Sequence, residues 1–347
     1  MSHTWTEAVS GRTRLPEMSP DDIDRAQRGL TDRVLTTPVV RSEELDFLAG
    51  ARLWLKAENL QRGGSFKVRG AALAVDRLAA AGSRGVVAQS TGNHAIAVAL
   101  AAVGRGLPAV LVLPTDAPVA KQRRIRAAGA ELVLAGSLLA ERVAVAEETR
   151  VRRGFDVIDP YQDPDVVAGQ GTATAELLAQ VAAAGGRLDA VVLPVGGGSA
   201  VAGASLATRG TDVEVIGAEP AAVPSLSAAL RAGAPVTVPV GPTLADGLRP
   251  DRVGALPFSL VRDRVRTVET VTESEIREAL CTVATGARLL VEPAAATALA
   301  AALRIARASR GRLTDIGVLL SGGNVEHTLV AALLAEYRAR PEPAPVR

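Results

Sequence analysis

Short apolar, β-rich runs recur along the chain at 52–56, 85–89, 109–113, 131–134, 189–194, 213–218, 265–271 and 316–320. Helix-length stretches rich in Ala, Leu, Arg and Glu separate most of them. The runs are continuously apolar, as parallel strands buried on both faces are. This alternation predicts an α/β fold on a mostly parallel sheet with helices on both sides. Ahead of the first run, Ser19-Pro20-Asp21-Asp22 supplies a capping hydroxyl, a proline for the first position and acids for the positive dipole end. That signature predicts a helix running to about Val34. The N-terminal arm to Met18 and the tail RARPEPAPVR from Arg338 lack an apolar period and are expected to be loose.

Three predicted strand-to-helix turns carry glycines or hydroxyls: 89–94 (QSTGNH), 194–200 (PVGGGSA) and 320–324 (LSGGN). Unpaired N–H groups and the dipole at a helix start favour anions. In open α/β sheets, ligands sit at the C-terminal ends of the strands. Tight loop geometry explains any one of these turns. Three together, expected on one sheet, point to a ligand with several polar groups. Standard phosphate motifs are missing. From Gly196 the sixth position is Val201, so G-x-G-x-x-G fails, and the chain has no Gly-Lys pair for a P-loop and no G-x-S-x-G elbow.

Composition narrows the picture further. The 347 residues carry 39 basic and 37 acidic side chains, for a net charge of +2, and the aromatics are two Trp, two Tyr and four Phe. Balanced charge and few stacking platforms argue against a nucleic-acid partner. Arg123, Arg124 and Arg126 read as a solvated helix face. No apolar run approaches the roughly 18 residues of a membrane span, and the N-terminus lacks a signal-peptide core. A cytoplasmic protein with no membrane partner is expected. The single cysteine, Cys281, excludes a disulfide framework and reads as a small buried residue in a helical pattern over 274–288. Lysine is rare: Lys56, Lys67 and Lys121 stand against a background of arginine, and Asn and His also occur three times each. Lys67 follows a glycine turn at the start of an amphipathic helix, where a desolvated amine would have lowered basicity and serve as a nucleophile.

The segments ENLQRGGSFKVRGA (58–71), STGNHA (90–95), AGQGT (168–172), VLPVGGGSAVAG (192–203), GAEP (217–220), TLADGL (243–248), EPAAA (292–296) and LLSGGNVEHT (319–328) occur in one order across nearly the whole chain after Thr36. In that order they closely resemble the serine/threonine dehydratase and serine racemase family of fold type II pyridoxal-phosphate (PLP) enzymes. The resemblance implies a tryptophan synthase β-like fold, with two open parallel-sheet domains and PLP in the cleft. A small domain, 86–160, would be inserted in a large one, 1–85 and 161–347. Lys67 would form the Schiff base, flanked by Phe66. Asn93 would bond the phenolic oxygen. Gly196, Gly197, Gly198, Ser199 and Ala200 would cradle the phosphate, with Gly247 also at the cofactor and Ser321 facing the pyridine nitrogen. Ser90, Thr91, Gly92, Asn93 and His94 would hold the carboxylate of a small amino-acid substrate.

The implied activity is dehydration of serine, threonine or 3-hydroxyaspartate to a 2-oxo acid and ammonia. Racemisation or β-replacement on the same scaffold, and a non-catalytic PLP-binding protein, are the alternatives. A homodimer is the implied assembly. Thr91 stands where racemases of the family carry a serine opposite the lysine, so its hydroxyl leaves a second proton-transfer group open beside a plain carboxylate-binding role. Glu219 matches a family metal ligand, but Ser225 occupies a position that is often acidic when Mg²⁺ binds. Glu292 matches a residue near the active site and reads equally as a structural carboxylate. Arg142 matches a position that contacts dicarboxylates in some members, but reads as a surface helix arginine.

Overall fold

The computed structural model describes residues 15–338 apart from 91, 137 and 266. The expected loose arm to residue 14 and the tail after 338 lie outside the described residues, as does Thr91. Ten strands form two sheets. The larger contains β1 (Val39–Val40), β2 (Arg52–Lys56), β7 (Ala190–Pro194), β8 (Glu214–Pro220), β9 (Thr267–Val271) and β10 (Asp315–Leu319), in the order β1-β2-β10-β7-β8-β9. All its pairings are parallel except β1 with β2. The smaller contains β3 (Val86–Gln89), β4 (Ala109–Leu113), β5 (Glu131–Leu134) and β6 (Asp156–Val157), all parallel, in the order β5-β4-β3-β6.

Each predicted apolar run overlaps a strand. The two-residue strands β1 and β6 are too short to leave a periodic signal. Alternate residues of the large sheet feed different cores. Leu53, Leu55, Val192, Ile216 and Val318 enter one cluster, and Trp54, Val191, Leu193, Val215 and Leu319 the other. The small sheet divides likewise, with Ala88, Leu111 and Leu113 on one face and Val87, Val110 and Val112 on the other. Continuous apolarity therefore reflects burial on both faces, as parallel strands require.

Three helices position the site: Lys67–Ala80, Pro164–Ala183 and Ser199–Ala207. The long middle helix touches both others through glycines. A Cβ on Gly169 would lie 2.5 Å from the Gly70 Cα, and one on Gly203 would lie 2.5 Å from the Gly171 nitrogen. The AGQGT segment is thus a backbone-to-backbone spacer, and any larger residue there would push the lysine helix and the glycine-loop helix apart. The Lys67–Ala80 helix buries Val68, Ala71, Ala74, Val75 and Leu78 in the small-sheet cluster, although it precedes residue 86.

Several local expectations change. The first helix stops at Gly29, not Val34, because glycine is a poor helix former and Asp32 takes a positive φ of 62°. Cys281 is buried in the Glu273–Thr282 helix, which then widens into a π turn over Val283–Ala287. The last helix begins at His327, so Ser321–Asn324 is an irregular segment and not a helix start. The three glycine-bearing turns also do not share one sheet. The 89–94 turn follows β3 of the small sheet, while the other two follow β7 and β10 of the large one. The ligand site they define therefore lies between the sheets.

Candidate active site

A cavity of about 330 Å³ lies where these turns converge. Lys67 opens its helix directly behind the half-turn at Gly63 and Gly64, both with positive φ, and its side chain lines the cavity with Phe66. Its Nζ lies 3.3 Å from the Pro160 carbonyl oxygen, 3.2 Å from the Ser199 hydroxyl and 5.0 Å from the centre of the Phe66 ring. Both hydrogen-bond partners are neutral. Burial pulls the amine's pKa down to about 8, opposed by the nearby charges of Asp159 and Glu292.

Gly196, Gly197, Gly198, Ser199 and Ala200 form the adjoining wall and lead into the Ser199–Ala207 helix. Gly198 caps that helix with φ +98° and offers no side-chain bond, which leaves its first N–H groups without an intrahelical acceptor. A Cβ on Gly197 would stand 2.1 Å from the Tyr161 ring, and one on Gly198 would stand 2.8 Å from Pro257. Glycine is required here because Tyr161 and Pro257 pack where these side chains would stand. Such a concave run of N–H donors suits a phosphate. Gly247 lines the same wall, and Ser321 is buried at the cavity with its carbonyl accepting from the Phe66 N–H at 3.0 Å. The residues present therefore fit a phosphorylated cofactor carrying a carbonyl for the amine.

On the small-sheet side, Ser90, Asn93 and His94 line the cavity. The Ser90 hydroxyl accepts from the Gly92 N–H at 2.9 Å. Gly92 has φ +148°, and the Lys121 side chain fills the space of its missing Cβ. The Asn93 amide donates to Glu292 Oε1 at 2.5 Å and accepts from Asn324 at 3.0 Å, which leaves one N–H for a ligand. His94 is buried with Nε2 3.4 Å from the Ile158 carbonyl oxygen. Burial, followed by the Lys67 charge, lowers its pKa to about 3, so the ring meets a ligand as neutral imidazole.

Glu292 belongs to the site, since it lines the cavity and is buried. Burial raises its carboxyl to about 7, opposed first by Lys121. Lys121 itself was not among the expected site residues. It reaches from the Val119–Ala127 helix of the small sheet to Asp246 Oδ2 at 2.6 Å and Glu292 Oε2 at 3.6 Å, tying the two bodies together beside the cavity. Its rarity in an arginine-rich chain was the available signal. Asp159, Pro160 and Tyr161 were also missed, because the turn that carries them has no glycine-loop signature.

One expectation needs correction, and the doubt over Mg²⁺ at Glu219 has a structural reason. Arg142 is not a surface arginine: it is 6% exposed and lines the cavity with Arg249. Desolvation and the like charge of Arg249 lower its pKa. Glu219 does not present a metal ligand. Its carboxylate accepts from the Leu226 N–H at 2.5 Å and from the Ser227 N–H and hydroxyl at 3.1 and 2.8 Å, and so caps the Ser225–Ala232 helix. These hydrogens face the oxygens a cation would need, and the described residues hold no cluster of three or more His, Cys, Asp or Glu able to bind a metal. The site does not fit Mg²⁺. The expected solvated face holds for Arg123, Arg124 and Arg126, although Arg124 also reaches Asn324. Among the described residues no helix is long and apolar enough to cross a membrane.

Residues 30–322 match the family described as pyridoxal-phosphate dependent enzyme. The chain is 36% identical over 317 residues to L-threo-3-hydroxyaspartate ammonia-lyase of Saccharomyces cerevisiae, covering 90% of this chain and 95% of that protein. It is 38% identical over 296 residues to serine racemase of Arabidopsis thaliana, covering 84% and 88%. Among solved structures, maize serine racemase superposes with a TM-score of 0.85 at 33% identity, covering 92% of this chain and 98% of that one. Kinship of this extent accounts for an amine of lowered basicity beside a glycine-lined phosphate cradle: the chain belongs to the pyridoxal-phosphate dependent enzyme family.

Proposed function

We propose that the protein is a PLP-dependent ammonia-lyase that eliminates water from a small β-hydroxy amino acid, releasing a 2-oxo acid and ammonia. The observation that carries this reading is a partly desolvated amine, Lys67, between a phosphate cradle and a second polar loop in one cavity. Relatives named L-threo-3-hydroxyaspartate ammonia-lyase and L-threonine ammonia-lyase support it.

PLP, when bound, supplies the electron sink that acidifies the substrate's α C–H. The chain's own groups do the rest. Gly196, Gly197, Gly198, Ser199 and Ala200 hold the phosphate through backbone N–H groups, with Gly247 closing the wall. Phe66 would flank the bound cofactor, Ser321 would offer it a neutral hydroxyl, and Asn93 would offer its remaining N–H. Lys67 anchors the cofactor, and its released Nζ takes the α-proton and carries it as ammonium. The 90–94 loop, Thr91 included, binds the substrate carboxylate with N–H and hydroxyl donors, and the neutral His94 adds a hydrogen bond without charge. The small body forms one wall of the cavity and the large one the other, which limits the water that reaches these steps. That small body is residues 86–160 together with the Lys67–Ala80 helix, whose apolar face it shares.

Among the β-hydroxy amino acids, 3-hydroxyaspartate is favoured. An anionic side chain would meet the Arg142 guanidinium and offset the repulsion from Arg249. The test is a panel of L- and D-amino acids with PLP-loaded protein, scoring 2-oxo acid, ammonia and chirality together. Elimination is expected, with Arg142→Ala raising KM for 3-hydroxyaspartate about 30-fold, the loss of one charged hydrogen bond, while leaving serine unchanged. Inversion without ammonia would assign a racemase. Bound cofactor with no turnover of any kind would refute the enzyme reading.

A further inference from the structure

The Asp159–Gln162 turn carries the chain from β6 of the small sheet back to the Pro164–Ala183 helix, and it runs along the cavity wall. Every residue of the turn has a fixed contact. Asp159 Oδ1 accepts from the backbone N–H groups of Tyr161 at 2.9 Å and Gln162 at 2.7 Å. Tyr161 lays its ring where a Cβ on Gly197 would stand. The Gln162 side chain accepts from the Ala255 N–H at 2.9 Å. Between them the Pro160 carbonyl oxygen lies 3.3 Å from Lys67 Nζ. Proline has no N–H of its own to satisfy, so the two bonds to Asp159 skip it and leave its carbonyl aimed at the amine.

We infer that Asp159 is a positioning residue for Lys67: its turn holds the Pro160 carbonyl against Nζ, and its carboxylate, on the residue next to that carbonyl, favours the amine in its protonated form. This rests on the reading of Lys67 as the base. A base that accepts the α-proton in a desolvated site must hold an ammonium there, which is costly without a nearby anion. Two carboxylates act on Lys67. Glu292 is engaged by Lys121 and Asn93, and it shares Lys121 with Asp246. Asp159 has no cationic partner other than Lys67 among the groups that act on it: burial raises its carboxyl above the usual carboxylate range, opposed by the N–H bonds of Tyr161 and Gln162, by the Gln162 side chain and by the charge of Lys67. The other titratable groups at this turn are Tyr161, Asp163 and, across the cavity, His94, with Asp251, Arg142 and Arg252 acting on Tyr161. Tyr161 and His94 are held neutral by burial, while Asp163 is paired with Arg77. The charge of Asp159 also raises Tyr161 and Asp163, and Lys67 is the cation among the groups it acts on here.

Asp159→Asn separates the two parts of this role, because an amide oxygen can still cap the turn but carries no charge. The readout is the pH dependence of Lys67 acylation in the cofactor-free full-length chain, followed by peptide mass spectrometry, alongside the pH profile of turnover in the PLP-loaded protein. In Asp159→Asn the labelling midpoint is expected to fall by about one pH unit, and the acidic limb of the turnover profile to move with it. Asp159→Ser, also neutral and able to accept one N–H bond, should give the same shift and covers the case of an insoluble Asp159→Asn protein. An unmoved midpoint in a folded variant would overturn the inference. A shifted midpoint in a protein that eliminates nothing from any amino acid would leave the inference standing and sink the lyase reading instead.

Discussion

Glu292 acts on two lysines, the buried Lys121 and the half-buried Lys67, and their surroundings are opposite. Lys121 places its ammonium between Asp246 and Glu292, and those carboxylates raise its pKa against the cost of burial. Lys67 meets only a carbonyl and a hydroxyl, both beyond 3 Å, and burial wins, drawing it down to about 8. The same side chain is thus a structural cation in one place and a poised amine in the other. What separates them is whether a carboxylate is in contact. Lys56 is bonded like a structural cation, its three N–H donors met by the Thr37 carbonyl, Glu176 and Gln180, all at 2.8 Å, yet burial still lowers its pKa, so one carboxylate contact does not always outweigh desolvation. The neighbouring Arg69 is fully buried and bonded to both Glu58 and Glu176, anchoring the start of the Lys67 helix two residues away.

The contrast can be broken by substitution, and the largest effect is expected at Lys67. Lys67→Ala removes the base and the cofactor anchor, so turnover should fall by about 10⁴-fold or more, with loss of the visible absorbance of the lysine-bound cofactor. Retained turnover would place the chemistry elsewhere. At the other lysine, Lys121→Met leaves Glu292 as a buried charge with no ammonium beside it. A stability loss of about 3 kcal/mol is expected, measured by denaturant unfolding of the PLP-free chain. A near-neutral result would mean that the contact between the two bodies contributes little.

The third effect is smaller and opposite in sign. Lys67 carries a folded-state pKa of about 8 against 10.5 in the unfolded chain, so the unfolded chain binds the extra proton between those values. Its ammonium therefore weakens the fold below pH 8, and that penalty is relieved as pH rises from 8 to 10.5. Lys67→Met should be more stable than the parent at pH 7 by on the order of 1 kcal/mol, and the advantage should vanish by pH 10.5. A loss of stability at pH 7 would contradict an amine of lowered basicity. The smallest effect is expected at Glu292. Its carboxyl titrates near 7 when folded and 4.5 when unfolded, so its contribution to stability falls as pH rises between those values. Glu292→Gln should flatten the melting temperature against pH over that window, and an unchanged slope would remove Glu292 from the coupling with Lys121.

The strands and the lysine were legible for different reasons. Runs such as 109–113 and 190–194 are buried on both faces, and burial leaves an unbroken apolar signature in the sequence. The residues of Gly196–Ser199 and Ser90–His94 were legible because their glycines stand where no Cβ fits, with Tyr161 packed against Gly197 and Lys121 against Gly92. Nothing comparable marks Asp159: its work is done by two local N–H bonds of a kind that occurs in many turns. Arg142 was misread because the Leu139–Arg153 helix also carries the exposed Arg152, and it is the tertiary fold that places Arg142 in the cavity wall with Arg249 and Tyr161. The three glycine turns were assigned to one sheet because sequence order says nothing about which strands become neighbours.

By itself, the sequence determined the parallel α/β character, the lysine at a helix start and the glycine cradle, since each depends on local pattern or on backbone space. The tertiary structure alone decided which charges meet. Lys121 finds Asp246 and Glu292 across more than a hundred residues of chain, and Asp159 comes to lie beside Lys67 through the return from one sheet to the other. Proton affinity in a desolvated site depends on distance to the nearest opposite charge, and that distance exists only once the chain has folded.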